Sequence, residues 1–312
     1  MDVSADGWSL VETVGGRIAG ASPLFLGAAL ALHALKLAVH ARAWQNILRA
    51  TTPERAIRYR DAARPYFVGV AAGCVVPFGL GRIFRVALAR VELRSKDDPR
   101  RDTPTAAIVG SLAVERALDL VVAAVVVAIA LMTTLQSSRR LHGHLPRLAF
   151  MTTHPFVASV VGAAIVLILG ATAWHFRARA REIAQDFARG FAILRRPSKF
   201  VAGVATWQLL SWVLRGAALV LFLEAFRVPH AVAVAPIVLS MQLLAGSLPV
   251  TPGGAGTQQA LLAATLGGGI VGFSAGAQVL TTVIDLMIGL AVLAGYGLRP
   301  DRHTLVPAQT TT

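Results

Sequence analysis

Three ionisable residues interrupt an otherwise apolar run: SLAVERALDLVV carries Glu115, Arg116 and Asp119. A spacing of four puts Glu115 and Asp119 on one helical face, and Arg116 can pair with Asp119 at i+3 or leave it to take a lipid phosphate. Burying such charges in a bilayer costs at least about 2.5–3.5 kcal/mol each on insertion scales, so by default they mark a path for ions, protons or substrate. Arg215 and Glu224 in the stretch 201–226, and Asp285 in 274–298, are of the same kind. The competing reading is interhelical ion pairs that only fix packing.

Two Pro/Gly-rich stretches carry a second signal. PFGLGRIFR sets Pro77, Gly79 and Gly81 ahead of Arg82 and Arg85, and LPVTPGGAGTQQ sets Pro249, Pro252, Gly253, Gly254 and Gly256 ahead of Thr257, Gln258 and Gln259. Glycine allows close backbone approach, and a half-helix that starts after it aims N–H groups and a positive dipole end at an anion. A phosphodiester headgroup suits such a place. GGAGTQ is not a nucleotide-binding loop, because it lacks the GxxxxGK[ST] spacing and any nearby Lys.

The elements that must position these residues follow from composition. Of 312 residues 55% are apolar and 15% charged, outside the range of soluble domains, and mean hydropathy is +0.63. Stretches of spanning length lie at 23–41, 104–131, 155–174, 201–226 and 274–298. Two others are broken by Gly and Pro: 65–81, which is short, and 231–269, which is too long for one span. Residues 1–22 lack the basic start of a cleaved signal and read as an N-terminal segment outside the cell; 23–298 reads as one polytopic domain and 299–312 as a cytoplasmic tail.

Charge supplies the topology. Net charge is +14, and 27 of the 30 cations are Arg. Segments 42–64 and 82–101 are both strongly basic, so both belong in the cytoplasm and 65–81 becomes a re-entrant hairpin opening there. The basic loop 175–200 is also inside, and 177–196 is amphipathic and suits the interface. The second broken stretch then opens outward. The resulting halves, about 23–131 and 201–298 joined by the span 155–174, have opposite orientation, as in transporters whose broken elements meet near the midplane. The alternative is that 231–269 makes two ordinary short helices.

Other function classes find little support. Cations set between long apolar runs present no solvated basic face, which argues against nucleic acid. His142, His144 and His154 lack a carboxylate or Cys at ligand spacing, Cys74 stands alone, and neither metal nor cofactor is expected. His33, Lys36 and His40 sit on the inner half of the first span, where Lys36 can snorkel or line a cavity. No nucleophile elbow or triad pattern is visible.

The order ARAWQNILRA, GCVVPFGLGRIFRVAL, SLAVERALDLVV, SLPVTPGGAGTQQALLAATL, then a final span, resembles the flippase-like family, also called the lysylphosphatidylglycerol synthase transmembrane region, over residues 24–298. The resemblance implies an all-helical membrane bundle of two inverted halves with paired re-entrant helices. It also implies movement or holding of an anionic phospholipid or polyprenyl-linked lipid in the cell membrane. Pro77, Gly81 and Arg85 fall in its first motif, Glu115, Arg116 and Asp119 in its helix motif, and Pro249, Pro252, Gly253, Gly254 and Gly256 in its second element. Gln259 stands where the family often has Glu, Asp285 where it often has Arg, and the usual first helix is not recognised. Aminoacyl transfer is not expected of the chain by itself, since only 14 residues follow Leu298. A lipid-presenting subunit for a separate transferase, or a structural scaffold, are the rival readings.

Overall fold

The computed structural model describes residues 12, 14–52, 56–76, 80–94, 103–140, 197–247 and 254–297. The expected span 155–174, the amphipathic 177–196, the histidines His142, His144 and His154, and Pro77, Gly79, Pro249, Pro252 and Gly253 lie outside them. Among the described residues all regular structure is helical. The helices are α1 (Pro23–Thr51), α2 (Tyr59–Val75), α3 (Gly81–Glu92), α4 (Thr105–Arg140), α5 (Pro197–Phe200), α6 (Thr206–Ala225), α7 (Ala231–Ser247), α8 (Thr257–Leu266) and α9 (Val271–Gly297). A π turn, Val201–Ala205, runs α5 into α6, and a 3₁₀ turn, Gly268–Ile270, leads into α9. Among the described residues three helical segments are long and apolar enough to cross a membrane: Pro23–Thr51, Val201–Ala225 and Gly268–Tyr296. The expected span 104–131 corresponds to α4 from Thr105 onward, and the 36 residues of that helix extend about 54 Å.

Local signals explain the helix starts. Ser22 is extended and Pro23 takes the first helical position of α1, where a missing N–H costs nothing. Asp61 Oδ2 accepts the Arg58 backbone N–H at 2.9 Å, closing the first turn of α2. At α8, Gly256 has φ +81°, a conformation that favours glycine, and its N–H donates to Gln259 Oε1 at 2.7 Å. The helices reach further into the basic segments than hydropathy alone suggested. Arg42 and Arg49 lie on α1, Arg60 and Arg64 on α2, and Arg82, Arg85 and Arg90 on α3, not in connections.

The first broken stretch is a helical hairpin. Arg64 of α2 meets Glu92 of α3 at 3.4 Å at one end, Gly69 abuts Arg85 and Gly81 in the middle, and Gly73 abuts Gly81 near the turn, so the arms run antiparallel. A Cβ on Gly69 would lie 2.7 Å from Arg85 Cβ, and one on Gly81 would strike the Gly69 carbonyl and the Gly73 backbone. Only glycine allows the arms this close. The second stretch also folds as two helices in contact, α7 and α8, with Gly254 against Ala245.

Long antiparallel pairs hold the bundle together. Along α1 and α6, Ser22 N donates to Ala225 O at 2.9 Å, His40 meets Ser211, and Asn46 Nδ2 donates to Gly203 O at 2.5 Å. Along α2 and α9, Arg64 lies over the Tyr296 ring, Gly289 abuts Ala71, and Cys74 meets Asp285. The apolar core has two main parts. One gathers Trp44, Leu48, Ile57, Tyr66, Leu93 and Ile108 from α1 to α4; the other gathers Trp212, Phe222, Phe226, Leu262 and Phe273 around α6 to α9. Phe226 and Phe273 meet edge to face at 5.6 Å.

Candidate functional site

Where the α2–α3 hairpin meets α1, α4, α6 and α7, a cavity of about 360 Å³ opens, within the size range of ligand sites. Its walls hold five cations, Lys36, Arg82, Arg85, Arg116 and Arg215, but only two carboxylates, Glu115 and Asp119.

Glu115 and Arg85 form the buried floor. Arg85 Nη1 and Nη2 donate to Glu115 Oε1 and Oε2 at 3.0 and 2.5 Å, a forked pair with both side chains 9% exposed. The guanidinium also lies over the Trp44 and Tyr66 rings, 3.9 and 4.7 Å from their centroids. His40 Nε2 donates to Glu115 Oε1 at 2.8 Å, and His40 Nδ1 meets the Ser211 hydroxyl at 3.2 Å. Trp44 is itself fixed, donating its indole N–H to Ser111 Oγ at 3.0 Å. The Gly69–Gly81 approach is what lets Arg85 reach this place.

Asp119 is equally committed. Gln208 Nε2 and Trp212 Nε1 of α6 donate to its Oδ1 at 2.6 and 3.0 Å, and Arg116 approaches its Oδ2 at 3.5 Å from the exposed side. Glu115 thus accepts three hydrogen bonds and Asp119 two from protein donors.

The remaining cations are different. Lys36, Arg82 and Arg215 make no ion pair with a carboxylate among the described residues; Arg215 lies 5.2 Å from the centroid of the Trp212 ring. With Arg116 at the rim, the cavity presents positive charge and N–H donors that the protein does not neutralise. The ligand atoms of His40, Glu115 and Asp119 come within 4.8 Å of one another. The two carboxylates among them already accept from His40, Arg85, Gln208 and Trp212 beneath further cations, a setting that repels a metal ion and attracts an anion.

The structure thus brings Arg82, Arg85, Glu115, Arg116, Asp119 and Arg215 to one cavity, with Gly81 in its wall. Arg82 and Arg85, three residues apart, differ in role: Arg82 is exposed, whereas Arg85 is buried under its pair. Asp285 stands apart, bonded to His33. Glu224 lies at the α6–α7 turn beside a separate cleft. Gly254, Gly256 and Gln259 are not among the lining residues and organise the start of α8, where Gln259 Nε2 donates to Gln278 Oε1 at 2.7 Å and Gln258 Nε2 to Ser274 Oγ at 2.9 Å. Lys36, which the sequence set on the inner half of the first span as able to line a cavity, does line this one, and so does His40 four residues on.

No curated protein and no solved structure matches the chain. The four motifs, the all-helical architecture and the cationic cavity nonetheless have a common home, for the chain matches the family described as the lysylphosphatidylglycerol synthase transmembrane region over residues 7–297 and belongs to it, a membrane protein linked to lipid metabolism or flipping.

Proposed function

We propose that this protein binds an anionic phospholipid or polyprenyl-phosphate lipid by its headgroup in the cavity and carries it between the leaflets of the cell membrane. The observation that supports this most is the trio of cavity cations, Lys36, Arg82 and Arg215, without carboxylate partners. In a medium of low dielectric such charges call for a counter-ion, and a phosphate with its acyl tails left in lipid supplies one. Five cations face two carboxylates in the cavity, so the favoured headgroup is anionic without an amine.

The packing supports two inverted halves with re-entrant hairpins. If α1 to α4 correspond to α6 to α9, then α1 packs on its counterpart α6, α2 packs on α9 as α7 packs on α4, and each hairpin packs within itself. The antiparallel run of α1 against α6 is what opposite orientation requires. On this reading the N-terminus lies outside and the C-terminus in the cytoplasm, and the halves rock against each other around the cavity.

The family's description favours a second reading, a membrane subunit that presents lipid to a separate transferase. Purified protein in sealed liposomes of neutral lipid with a trace of fluorescent phosphatidylglycerol separates the two. Exchange of the probe between leaflets should be fast with the wild-type protein and slow with Lys36→Met/Arg215→Met. No acceleration for phosphatidylglycerol, phosphatidic acid or a polyprenyl phosphate would sink translocation, and retained lipid binding would then favour presentation.

A further inference from the structure

One ionisable pair in the bundle is not absorbed by the cavity. His33 Nε2 of α1 donates to Asp285 Oδ1 of α9 at 2.8 Å, each side chain being 13% exposed. Cys74 Sγ of α2 donates to the other carboxylate oxygen at 3.8 Å. The hydrogen-bond partners of Asp285 are thus an imidazole and a thiol, neither of which is a permanent cation. Glu115 is different, because the Arg85 fork holds it, and guanidinium does not titrate. A histidine–carboxylate pair can carry one proton or two near neutral pH, which a forked arginine–carboxylate pair cannot.

Position links this pair to the site. His33, Lys36 and His40 stand at i, i+3 and i+7, one stripe on α1, and the last two line the cavity. The charged and titratable groups facing the pair are Lys36 from α1, Arg215 from α6, and Tyr66 and Cys74 from α2; Asp119 of α4 acts on it through Lys36. Lys36 stands one helical turn from His33, and it lines the cavity together with Arg215. Lys36 and Arg215 are two of the cavity cations that lack a carboxylate.

We propose that the His33–Asp285 pair is a proton-binding site coupled to the headgroup cavity, taking up one proton when an anionic headgroup enters and releasing it when the headgroup leaves. The inference rests on the proposed lipid-binding function. A phosphate beside Lys36 and Arg215 offsets their positive charge, which by Coulomb repulsion opposes a second proton on His33. A proton from water then adds to Nδ1, which has no hydrogen-bond partner among the described residues, while Nε2–H keeps its bond to Asp285. Only an N–H bond forms, and the pair gains one positive charge against the single negative charge of the phosphodiester. By reciprocity the proton tightens headgroup binding by the factor with which the headgroup tightens proton binding. Proton and lipid then cross together, without net charge.

The test is the liposome exchange assay with an imposed pH difference and fluorescent phosphatidylglycerol as probe. Wild-type protein should enrich the probe in the leaflet facing the alkaline side, up to about tenfold per pH unit for one proton per lipid, and an imposed membrane potential should not change the ratio. His33→Gln and Asp285→Asn should still exchange the probe but leave it evenly distributed. Fast exchange by the wild type that ignores the pH difference overturns the proton site and leaves lipid translocation standing, as does a preserved gradient response in both variants. No exchange by the wild type at any pH removes the lipid reading and this inference with it. If one variant fails to fold, the wild type and the other variant decide.

Discussion

The Arg85–Glu115 pair is the place where the bundle is most exposed to a single change, and its energetics can be worked out in advance. Both side chains are 9% exposed, and the guanidinium fork engages both carboxylate oxygens at 3.0 and 2.5 Å. At an effective dielectric of about 20 two unit charges some 4 Å apart attract by about 4 kcal/mol, and removing one partner of a buried pair typically costs about 3–5 kcal/mol, because the survivor stays buried and uncompensated. Glu115→Leu leaves Arg85 between Trp44 and Tyr66, whose ring faces retain about 1–2 kcal/mol of its stabilisation. Arg85→Met leaves Glu115 with only His40. Glu115→Leu should therefore lose about 2–3 kcal/mol and Arg85→Met about 3–5 kcal/mol, while the double variant should lose no more than the milder single one. Unfolding in mixed micelles by titration with a denaturing detergent measures all four corners of this cycle. Additive losses, with the double variant equal to the sum of the singles, would refute the pairing and return Arg85 to the set of headgroup ligands.

Three further outcomes follow from single contacts. Gly69→Ala should destabilise by about 1–3 kcal/mol through overpacking, since its Cβ would meet Arg85 Cβ at 2.7 Å, whereas Gly203→Ala, with only Asn46 atoms at 3.8 Å or more, should be close to neutral in the same unfolding assay. Trp212→Phe removes the indole N–H given to Asp119 at 3.0 Å and should cost about 1.5–3 kcal/mol, visible as a lower midpoint. Gln259→Ala strips Gly256 N–H of its acceptor and Gln278 of its donor at the start of α8; a loss of about 0.5–2 kcal/mol is expected, and Gln259→Glu, which restores the acceptor at a helix N-terminus, should recover much of it.

What could be read in the sequence and what could not divide along physical lines. Helices and charges in apolar runs announce themselves locally, because periodicity and insertion cost depend on neighbours in the chain. That is why Glu115, Arg116, Asp119, Arg215, Glu224 and Asp285 were recognisable as one class; the first four line one cavity, while Glu224 and Asp285 lie elsewhere. Partner choice depends on residues far away. Arg82 and Arg85 read as equivalent at a spacing of three, and what distinguishes them is the Gly69–Gly81 approach, which seats only Arg85 against Trp44 and Glu115. Asp285 read as one more cavity charge, yet its partner is His33, 252 positions away. The helix ends were misplaced for a different reason. Cations look like connections by composition, but Arg64 can close a hairpin through Glu92 and Arg82 can line a cavity from α3 without breaking either helix.

The balance of charge in the cavity also separates a binding site from a scaffold. Charges that served only to pack helices would be matched, each with a partner, as Arg85 is with Glu115. Lys36 and Arg215 are not matched by carboxylates, so in the empty protein they oppose stability by up to about 2.5–3.5 kcal/mol each. Lys36→Met should therefore raise the unfolding midpoint of the lipid-free protein, since an apolar chain of similar length replaces an uncompensated charge. Added phosphatidylglycerol should raise the midpoint of the wild type and do so less for Lys36→Met, because a ligand stabilises the state it binds in proportion to its affinity. A scaffold predicts the first effect without the second: both proteins would respond equally to the lipid. Gain of intrinsic stability together with loss of lipid response is the signature of a charge kept for a ligand.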